Sequence, residues 1–365
     1  MEKIVPLFSK RQIATAGELL RSDKLSIQDK EWSNDVLSNW RAIHSYPINT
    51  FQSTLRDKLK IVDKKALVAQ RLKRAPSIIS KLRRFSGMKL SRMQDIGGLR
   101  AVVSSLKQVE ELRVNYKESR FEHELVSEKD YIEYPKNTGY RGIHLIYKYK
   151  NNKVDLCDGL HIELQIRTRL QHSWATAVET MGTFLDHALK SSEGPKEWLD
   201  FFSLTGSAFA HYEGCNPVPG YDNLMQQDTY EKMIAEASRL NIIDRLQAFS
   251  IAANSISSDE KGGSYYIVIL NPNQKTVSIE SFARKNLDEA NKRYSYYENQ
   301  IIDGDLIQVV LVSTSSIESL RQAYPNYFLD TQEFIKVIQE INTKILDPDK
   351  KMRLPHELNN DSLPI

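Results

Sequence analysis

From Leu160 to Ile166 the chain reads Leu-His-Ile-Glu-Leu-Gln-Ile, a strict alternation of apolar and polar residues. Successive side chains of a strand point to opposite faces, so His161, Glu163 and Gln165 share one face and Leu160, Ile162, Leu164 and Ile166 the other. The pattern predicts a strand that packs one face on helices and presents a carboxylate on the other. Two further apolar runs predict strands: Leu99, Ala101, Val102 and Val103, and the apolar and aromatic stretch Gly142–Tyr149. Upstream, Val36, Trp40 and Ile43, then Phe51 and Leu55, recur at helical spacing. Pro47 between the two sets implies two helices meeting at a bend. Downstream, Leu170, Trp174, Ala177, Val178, Met181 and Leu185 form one apolar stripe, which predicts a helix over Arg169–Leu189.

Asn216-Pro-Val-Pro-Gly220 is the clearest cluster of chain breakers and reads as the end of a first domain. Beyond it the pattern predicts a helical stretch over Gln227–Asn254 and strands at Ser264–Leu270 and Thr276–Ser281 across the turn Asn271-Pro-Asn-Gln. A strand at Leu306–Ser313 follows, then amphipathic helical pieces around Ile317–Ala323 and Thr331–Ile341. The implied division is 1–216 for the first domain, 217–258 for a helical connector, 259–346 for a smaller α+β domain and 347–365 for a polar tail. The expected class is α+β, a mixed sheet flanked by helices.

A chain of 365 residues with 41% hydrophobic content has room for two cores. No run of about 18 apolar residues is present to span a bilayer, and the start lacks the apolar stretch of a secretory signal, so a cytoplasmic protein without membrane contact is expected. Two cysteines, Cys157 and Cys215, cannot supply the four ligands of a structural zinc. The net charge of +3 hides an uneven distribution. Between Arg56 and Arg92 stand thirteen Lys or Arg against two acids, Asp57 and Asp63. Such a block attracts polyanions, either nucleotide phosphates or a nucleic-acid backbone; a solvated helix face would usually mix both signs.

Four elements carry residues suited to chemistry. In Gln70-Arg-Leu-Lys-Arg-Ala-Pro-Ser-Ile-Ile-Ser-Lys-Leu-Arg-Arg84, Pro76 and Ser77 fit the opening of a helix, whose free N–H groups bind anions. Lys81 and Arg84 follow Ser77 by four and seven residues, on one helix face. A triphosphate could be gripped there by Arg71, Lys73, Ser77, Lys81 and Arg84, although basic helices are common. In Asp95-Ile-Gly-Gly-Leu-Arg100 a carboxylate stands at the mouth of a strand, where it fits either a magnesium ligand or a turn aspartate. The segment Asp130-Tyr-Ile-Glu-Tyr-Pro-Lys-Asn-Thr-Gly-Tyr-Arg-Gly-Ile-His144 is read as a loop exposing Tyr140, with Lys136 and His144 four positions either side. A ring amid cations can stack a nucleobase, and it can equally be a packed loop aromatic. In Ile162-Glu-Leu-Gln-Ile-Arg-Thr168, Glu163 is either a general base or a solvated strand carboxylate.

In this order the four elements resemble the synthetase domain of the RelA/SpoT family, over roughly Gln70–Glu179. Tyr-Pro-Lys-Asn-Thr-Gly-Tyr-Arg-Gly-Ile-His, Ile-Glu-Leu-Gln-Ile-Arg-Thr and His172-Ser-Trp-Ala-Thr are the telling motifs. The resemblance implies a nucleotidyltransferase-like fold and a diphosphotransferase that moves the β,γ-pyrophosphate of ATP to a ribose 3′-hydroxyl. It implies Arg71, Lys73, Ser77, Lys81 and Arg84 on the ATP phosphates, Asp95 on Mg²⁺ and Glu163 as the base activating the hydroxyl. Tyr140 would stack the acceptor base, with Lys136, His144 and Gln165 around it.

The long family members carry a hydrolase domain with a His-Asp motif, and no His-Asp dipeptide occurs here. Unopposed synthesis makes the second half a candidate restraint. In Ala323-Tyr-Pro-Asn-Tyr-Phe-Leu-Asp330, Tyr324 and Tyr327 flank a Pro-Asn turn; they could enter a nucleotide cleft or pack as half-buried tyrosines. The layout resembles CapRel-type fused toxin–antitoxin synthetases, whose C-terminal pseudo-zinc-finger domain blocks the ATP site with a Tyr-x-x-Tyr element. That resemblance implies pyrophosphorylation of the tRNA 3′ end, arrest of translation and release by a phage major capsid protein. The basic block suits tRNA phosphates. The alternative acceptor is GDP or GTP, the third possibility is a catalytically dead nucleotide sensor, and no DNA contact is expected.

Overall fold

The computed structural model describes residues 4–22, 24–151, 155–185, 189, 193–246, 256–258, 264–271, 274, 276–300, 307–313 and 331–346. Three helices open the chain: α1 (Lys10–Leu19), α2 (Ile27–Ala42) and α3 (Ser45–Val62). Ser9 and Gln12 close a capping box on α1. The bend expected at Pro47 is the α2–α3 junction; Pro47 lies in the first turn of α3, where a missing N–H leaves no helical bond unmade.

The strands β1 (Leu67–Leu72), β2 (Gly97–Val103), β3 (Glu124–Asp130), β4 (Ile143–Lys148) and β5 (His161–Thr168) follow, with α4 (Ala75–Arg84) after β1 and α5 (Leu106–Glu118) after β2. Next come α6 (Arg169–Phe184), α7 (Lys196–Glu213), α8 (Gln226–Arg239), β6 (Ile256–Ser258), β7 (Tyr265–Asn271), β8 (Thr276–Phe282), α9 (Leu287–Gln300), β9 (Gln308–Ser313) and α10 (Gln332–Leu346). The strands form one mixed sheet in the order β3-β4-β5-β2-β1-β9-β7-β8-β6. β2 runs parallel to β5 and β6 parallel to β8; the remaining pairs are antiparallel. The sheet is continuous through both halves of the chain, because β9 pairs with β1 at Gln70–Ser313 and Arg71–Val312.

The alternation in β5 is realised as expected. Ile162, Leu164 and Ile166 are buried against Phe51, Leu55 and Leu59 of α3 and Val109 and Leu112 of α5, in one apolar core. The odd-numbered residues of β5 face away from it. A second core joins Leu170, Trp174, Val178 and Met181 of α6 to Phe202 and Phe209 of α7 and Tyr230 and Met233 of α8. Phe334, Ile338 and Ile341 of α10 complete it, and the Phe209 and Phe334 rings lie 5.4 Å apart.

Three strands were not apparent from the pattern, and the shortest, β6, falls at the end of the stretch expected as a helical connector, 217–258. β1 carries Gln70 and Arg71 and reads as part of the basic element, and β3 is an edge strand of charged, half-exposed residues with no apolar alternation. In the helical stretch expected over Gln227–Asn254, α8 ends at Arg239, Asn241 (φ 52°) breaks the helix, and helix resumes over 242–246. The piece expected at Ile317–Ala323, the Tyr324 and Tyr327 pair and the tail 347–365 lie outside the described residues. No helix among the described residues is long and apolar enough to cross a membrane.

Candidate active site

On the polar face of β5 stand Glu163, Gln165 and Arg167. Pairing in the sheet sets Gln165 opposite His144 of β4 and Arg100 of β2, and Glu163 opposite Gly98. His144 and Glu163 are nearly enclosed, with side chains 13% and 14% exposed, and His144 Nδ1 lies 2.8 Å from Glu163 Oε1. Gln165 Nε2 donates to Glu163 Oε2 at 2.8 Å. Burial opposes the charge on Glu163, but the His144 bond and charge, the Gln165 bond and the nearby Lys73 outweigh it. The carboxyl is held well below the usual carboxylate range. Burial lowers the proton affinity of His144, more than Glu163 restores it. An ionised Glu163 accepts only, so His144 is the Nδ1–H tautomer and its Nε2 accepts from the Tyr140 hydroxyl.

The loop carrying Tyr140 is seated by direct backbone contact. Gly139 has φ +92°, and a Cβ on it would stand 2.7 Å from the Phe202 carbonyl oxygen; a Cβ on Gly206 would stand 2.5 Å from Gly139 Cα. Only glycine permits this approach at both positions. Ser203 Oγ donates to the Asn137 carbonyl at 2.7 Å, and Trp174 Nε1 donates to that of Phe202 at 2.9 Å. Tyr140, expected to be exposed, is consequently buried at 4% exposure. Burial raises the proton affinity of its hydroxyl. Two cations lie over its ring, Lys136 Nζ at 5.1 Å and the Arg167 guanidinium at 4.8 Å from the centroid. Lys136 also lies 4.3 Å from the Tyr131 ring.

Asp95 stands beside this cluster. Its Oδ2 accepts from Lys73 at 3.0 Å and from Lys81 at 2.8 Å. Burial works against its charge, and the two lysines prevail, leaving the carboxyl below its ordinary value. Lys73 itself is lowered, by burial before all else. Asp95 Oδ1 is buried and has no hydrogen-bond partner among the described residues, which leaves a hard oxygen available to a cation. No group of three or more His, Cys, Asp or Glu that could hold a metal occurs among the described residues.

The other residues expected on the phosphates are spread more widely. Arg71 is half-buried on β1, opposite Gly98, and Ser77 is half-buried in the first turn of α4. Arg84 points elsewhere, pairing with Glu193 at 2.5 Å. Of the thirteen cations, Arg56, Lys60, Lys64, Lys65, Arg83, Arg84, Lys89 and Arg92 are exposed.

Two participants escaped the sequence reading. Arg167 donates through Nη2 to Tyr140 Oη at 2.6 Å and to Gln165 Oε1 at 2.7 Å. Its position on the polar face of β5, two residues after Gln165, was the available signal. Glu298, on α9, brings Oε1 to the Ala75 N–H at 3.1 Å, in the first turn of α4. Nothing in the sequence near residue 298 points to that partner.

Residues 70–182 match the family model described as a region found in RelA / SpoT proteins. The GTP pyrophosphokinase YwaC of Bacillus subtilis (strain 168) is 26% identical over 202 residues, which cover 52% of this chain and 90% of YwaC. The GTP pyrophosphokinase YjbM of the same organism is 29% identical over 158 residues, covering 41% of this chain and 72% of YjbM. The crystal structure of small alarmone synthetase 1 from Bacillus subtilis bound to its product pppGpp aligns with a TM-score of 0.41 and 23% identity, covering 51% of this chain and 94% of that one.

Proposed function

We propose that this chain, a pyrophosphokinase with a RelA/SpoT synthetase domain, moves the β,γ-pyrophosphate of ATP onto the 3′-hydroxyl of the tRNA acceptor end, and that its C-terminal half restrains the transfer. The observation that carries the transfer is the placing of an ionised, doubly hydrogen-bonded Glu163 near Asp95 and its two lysines. Phosphoryl-type transfer passes through a loose transition state, so alignment and charge neutralisation do most of the catalysis. Lys73 and Lys81, with Arg71 and Ser77 near them, supply the positive charge for a triphosphate. Glu163, held low in proton affinity, serves first by accepting the hydrogen bond of the attacking hydroxyl and fixing its line of approach. It takes the proton only as the new bond from the hydroxyl oxygen to the β-phosphorus forms and the bond from that phosphorus to the bridging oxygen of the α-phosphate breaks, with AMP as the leaving group.

Mg²⁺ fits the unpartnered Asp95 Oδ1, and when bound it would neutralise phosphate oxygens. The acceptor base would meet Tyr140, Lys136, His144 and Gln165; because Tyr140 is enclosed at rest, stacking on it requires Lys136 to swing aside.

The exposed cations Arg56, Lys60, Lys64, Lys65, Arg83, Lys89 and Arg92 favour tRNA, since a mononucleotide needs few of them. Restraint by the C-terminal half is supported by Glu298, whose carboxylate occupies the first turn of α4, a position suited to a phosphate oxygen. In this reading Tyr324 and Tyr327 add to the block, and a phage major capsid protein relieves it. The names of the two relatives favour the second reading, a synthetase that uses GDP or GTP as acceptor.

Incubation of the full-length chain with γ-labelled ATP and either bulk tRNA or GDP and GTP, with and without capsid protein, separates the readings. Label in tRNA supports the first, label in guanosine nucleotides replaces it with the second, and no label in any mixture removes both. Alanine at Tyr324 and Tyr327 together should raise label transfer; unchanged transfer by the folded variant removes that part of the restraint.

A further inference from the structure

Arg167 is 1% exposed, yet it forms no ion pair among the described residues. Its Nε and Nη1 are buried without a hydrogen-bond partner there, and all its bonding passes through Nη2. An enclosed guanidinium is costly unless a counter-charge answers it. The answering charge is Glu163, reached along two arms. In one, Arg167 Nη2 donates to the Tyr140 oxygen, the Tyr140 hydroxyl donates to His144 Nε2, and His144 Nδ1–H donates to Glu163 Oε1. In the other, Arg167 Nη2 donates to Gln165 Oε1 and Gln165 Nε2 donates to Glu163 Oε2.

The two arms close a ring of five side chains in which every donor points from the guanidinium towards the carboxylate. Bonds so aligned polarise one another in the same sense. The arms end on different oxygens of Glu163, so together they fix the rotation of the carboxylate plane. Room for the Arg167 stem exists because residue 142 is glycine (φ +145°); a Cβ there would stand 3.0 Å from Arg167 Cγ.

We propose that Arg167 is a positioning residue for the transfer: one guanidinium nitrogen anchors both arms and so holds the two Glu163 oxygens in line with the acceptor hydroxyl. The proposal rests on the reading of Glu163 as the group that receives that hydroxyl's hydrogen. Because a single nitrogen makes both anchoring bonds, a lysine ammonium can reproduce them, whereas methionine fills similar volume and donates nothing.

The test uses the full-length chain and the variants Arg167→Met, Arg167→Lys and Tyr140→Phe, with ATP and whichever of bulk tRNA, GDP or GTP takes label from the parent chain. Arg167→Met should lower kcat by about 10- to 100-fold, the scale of misalignment in a reacting pair, at unchanged KM for ATP, and Arg167→Lys should recover most of the loss. A readout independent of turnover is the imidazole ¹⁵N spectrum of His144. The Nδ1–H tautomer is set by Glu163 and should persist in every variant, whereas the Nε2 resonance, hydrogen-bonded to Tyr140 in the parent, should move towards that of a free imidazole nitrogen in Arg167→Met and Tyr140→Phe. Should Arg167→Met not fold, Tyr140→Phe and Arg167→Lys carry the spectroscopic test, with the shift expected only in the first. A kcat within twofold of the parent, no recovery by lysine, or an unmoved His144 Nε2 resonance in the cut variants overturns the proposal. Turnover retained by Glu163→Gln would instead defeat the reading of Glu163, whatever Arg167 does.

Discussion

Arg41 Nη1 and Glu298 Oε2 lie 2.6 Å apart in the interior, with side chains 4% and 7% exposed, although they are 257 residues apart in the chain. Arg41 Nε donates to the Lys73 carbonyl at 2.9 Å, and its guanidinium lies 5.0 Å from the Tyr294 ring centroid. The Tyr294 hydroxyl donates to Glu298 Oε1 at 2.7 Å, the oxygen that also receives the Ala75 N–H. Burial works against the Arg41 charge, and Glu298 and Tyr294 reverse the effect, so its proton affinity is raised. The pair therefore fastens α9 to the backbone on both sides of residue 74, at the opening of α4.

Removing one charge should leave the other enclosed and unpaired. Glu298→Ala is expected to lose about 3–5 kcal/mol of stability, read from denaturant or thermal unfolding. The double variant Glu298→Ala/Arg41→Met should be more stable than Glu298→Ala alone, because the uncompensated guanidinium is gone. A double variant no more stable than the single one contradicts a direct ion pair.

Folding stability should carry the signature of His44. The ring is 1% exposed and its Nδ1 donates to the Trp40 carbonyl at 2.7 Å. Burial, above all, lowers its proton affinity from 6.5 to about 4. Between those values the unfolded chain binds the proton and the folded chain does not, so stability is complete above pH 6.5 and falls as the pH drops towards 4. The whole loss is about 3 kcal/mol, from roughly 1.4 kcal/mol per unit. Thermal melts across this window should fall less steeply for His44→Gln than for the parent; parallel curves would dissociate the slope from His44.

The Gly139–Gly206 contact makes a methyl group a sharp probe of the Tyr140 loop. In Gly206→Ala the new Cβ would meet Gly139 Cα at 2.5 Å, so the loop must move off α7. We expect a loss of about 1–3 kcal/mol from the forced shift and a fall in transfer of about tenfold or more as Tyr140 and His144 move. Wild-type turnover and melting in this variant would contradict the seating described for the loop.

How much was legible depended on whether a residue's role was local. The alternation around Glu163, the stripe on α6 and the Pro47 bend are written in neighbouring residues, and each appears in the fold. The exposure of Tyr140 could not be read in the same way, because it is set by Gly206, Trp174 and Phe202 on helices that follow later in the chain. β1 was hidden because the phosphate-binding signal of Arg71 overlies a strand whose apolar residues, Leu67, Val68, Ala69 and Leu72, do not alternate with polar ones. Glu298 lay beyond reach for a stronger reason: apart from the Tyr294 hydroxyl one turn earlier, its partners are Arg41 and the Ala75 N–H, and neither of these leaves any local mark around residue 298.

The proposed transfer depends on Glu163 as the carboxylate that receives the acceptor hydroxyl, and one measurement tests that most directly: label transfer by Glu163→Gln beside ATP binding by the same variant. The amide keeps the size of the side chain and loses the charge that both arms converge upon. Transfer should fall by about 10²- to 10⁴-fold, the usual range for losing a positioned acid or base, while ATP affinity stays near that of the parent. Turnover close to the parent's in a folded, ATP-binding Glu163→Gln chain would contradict the account.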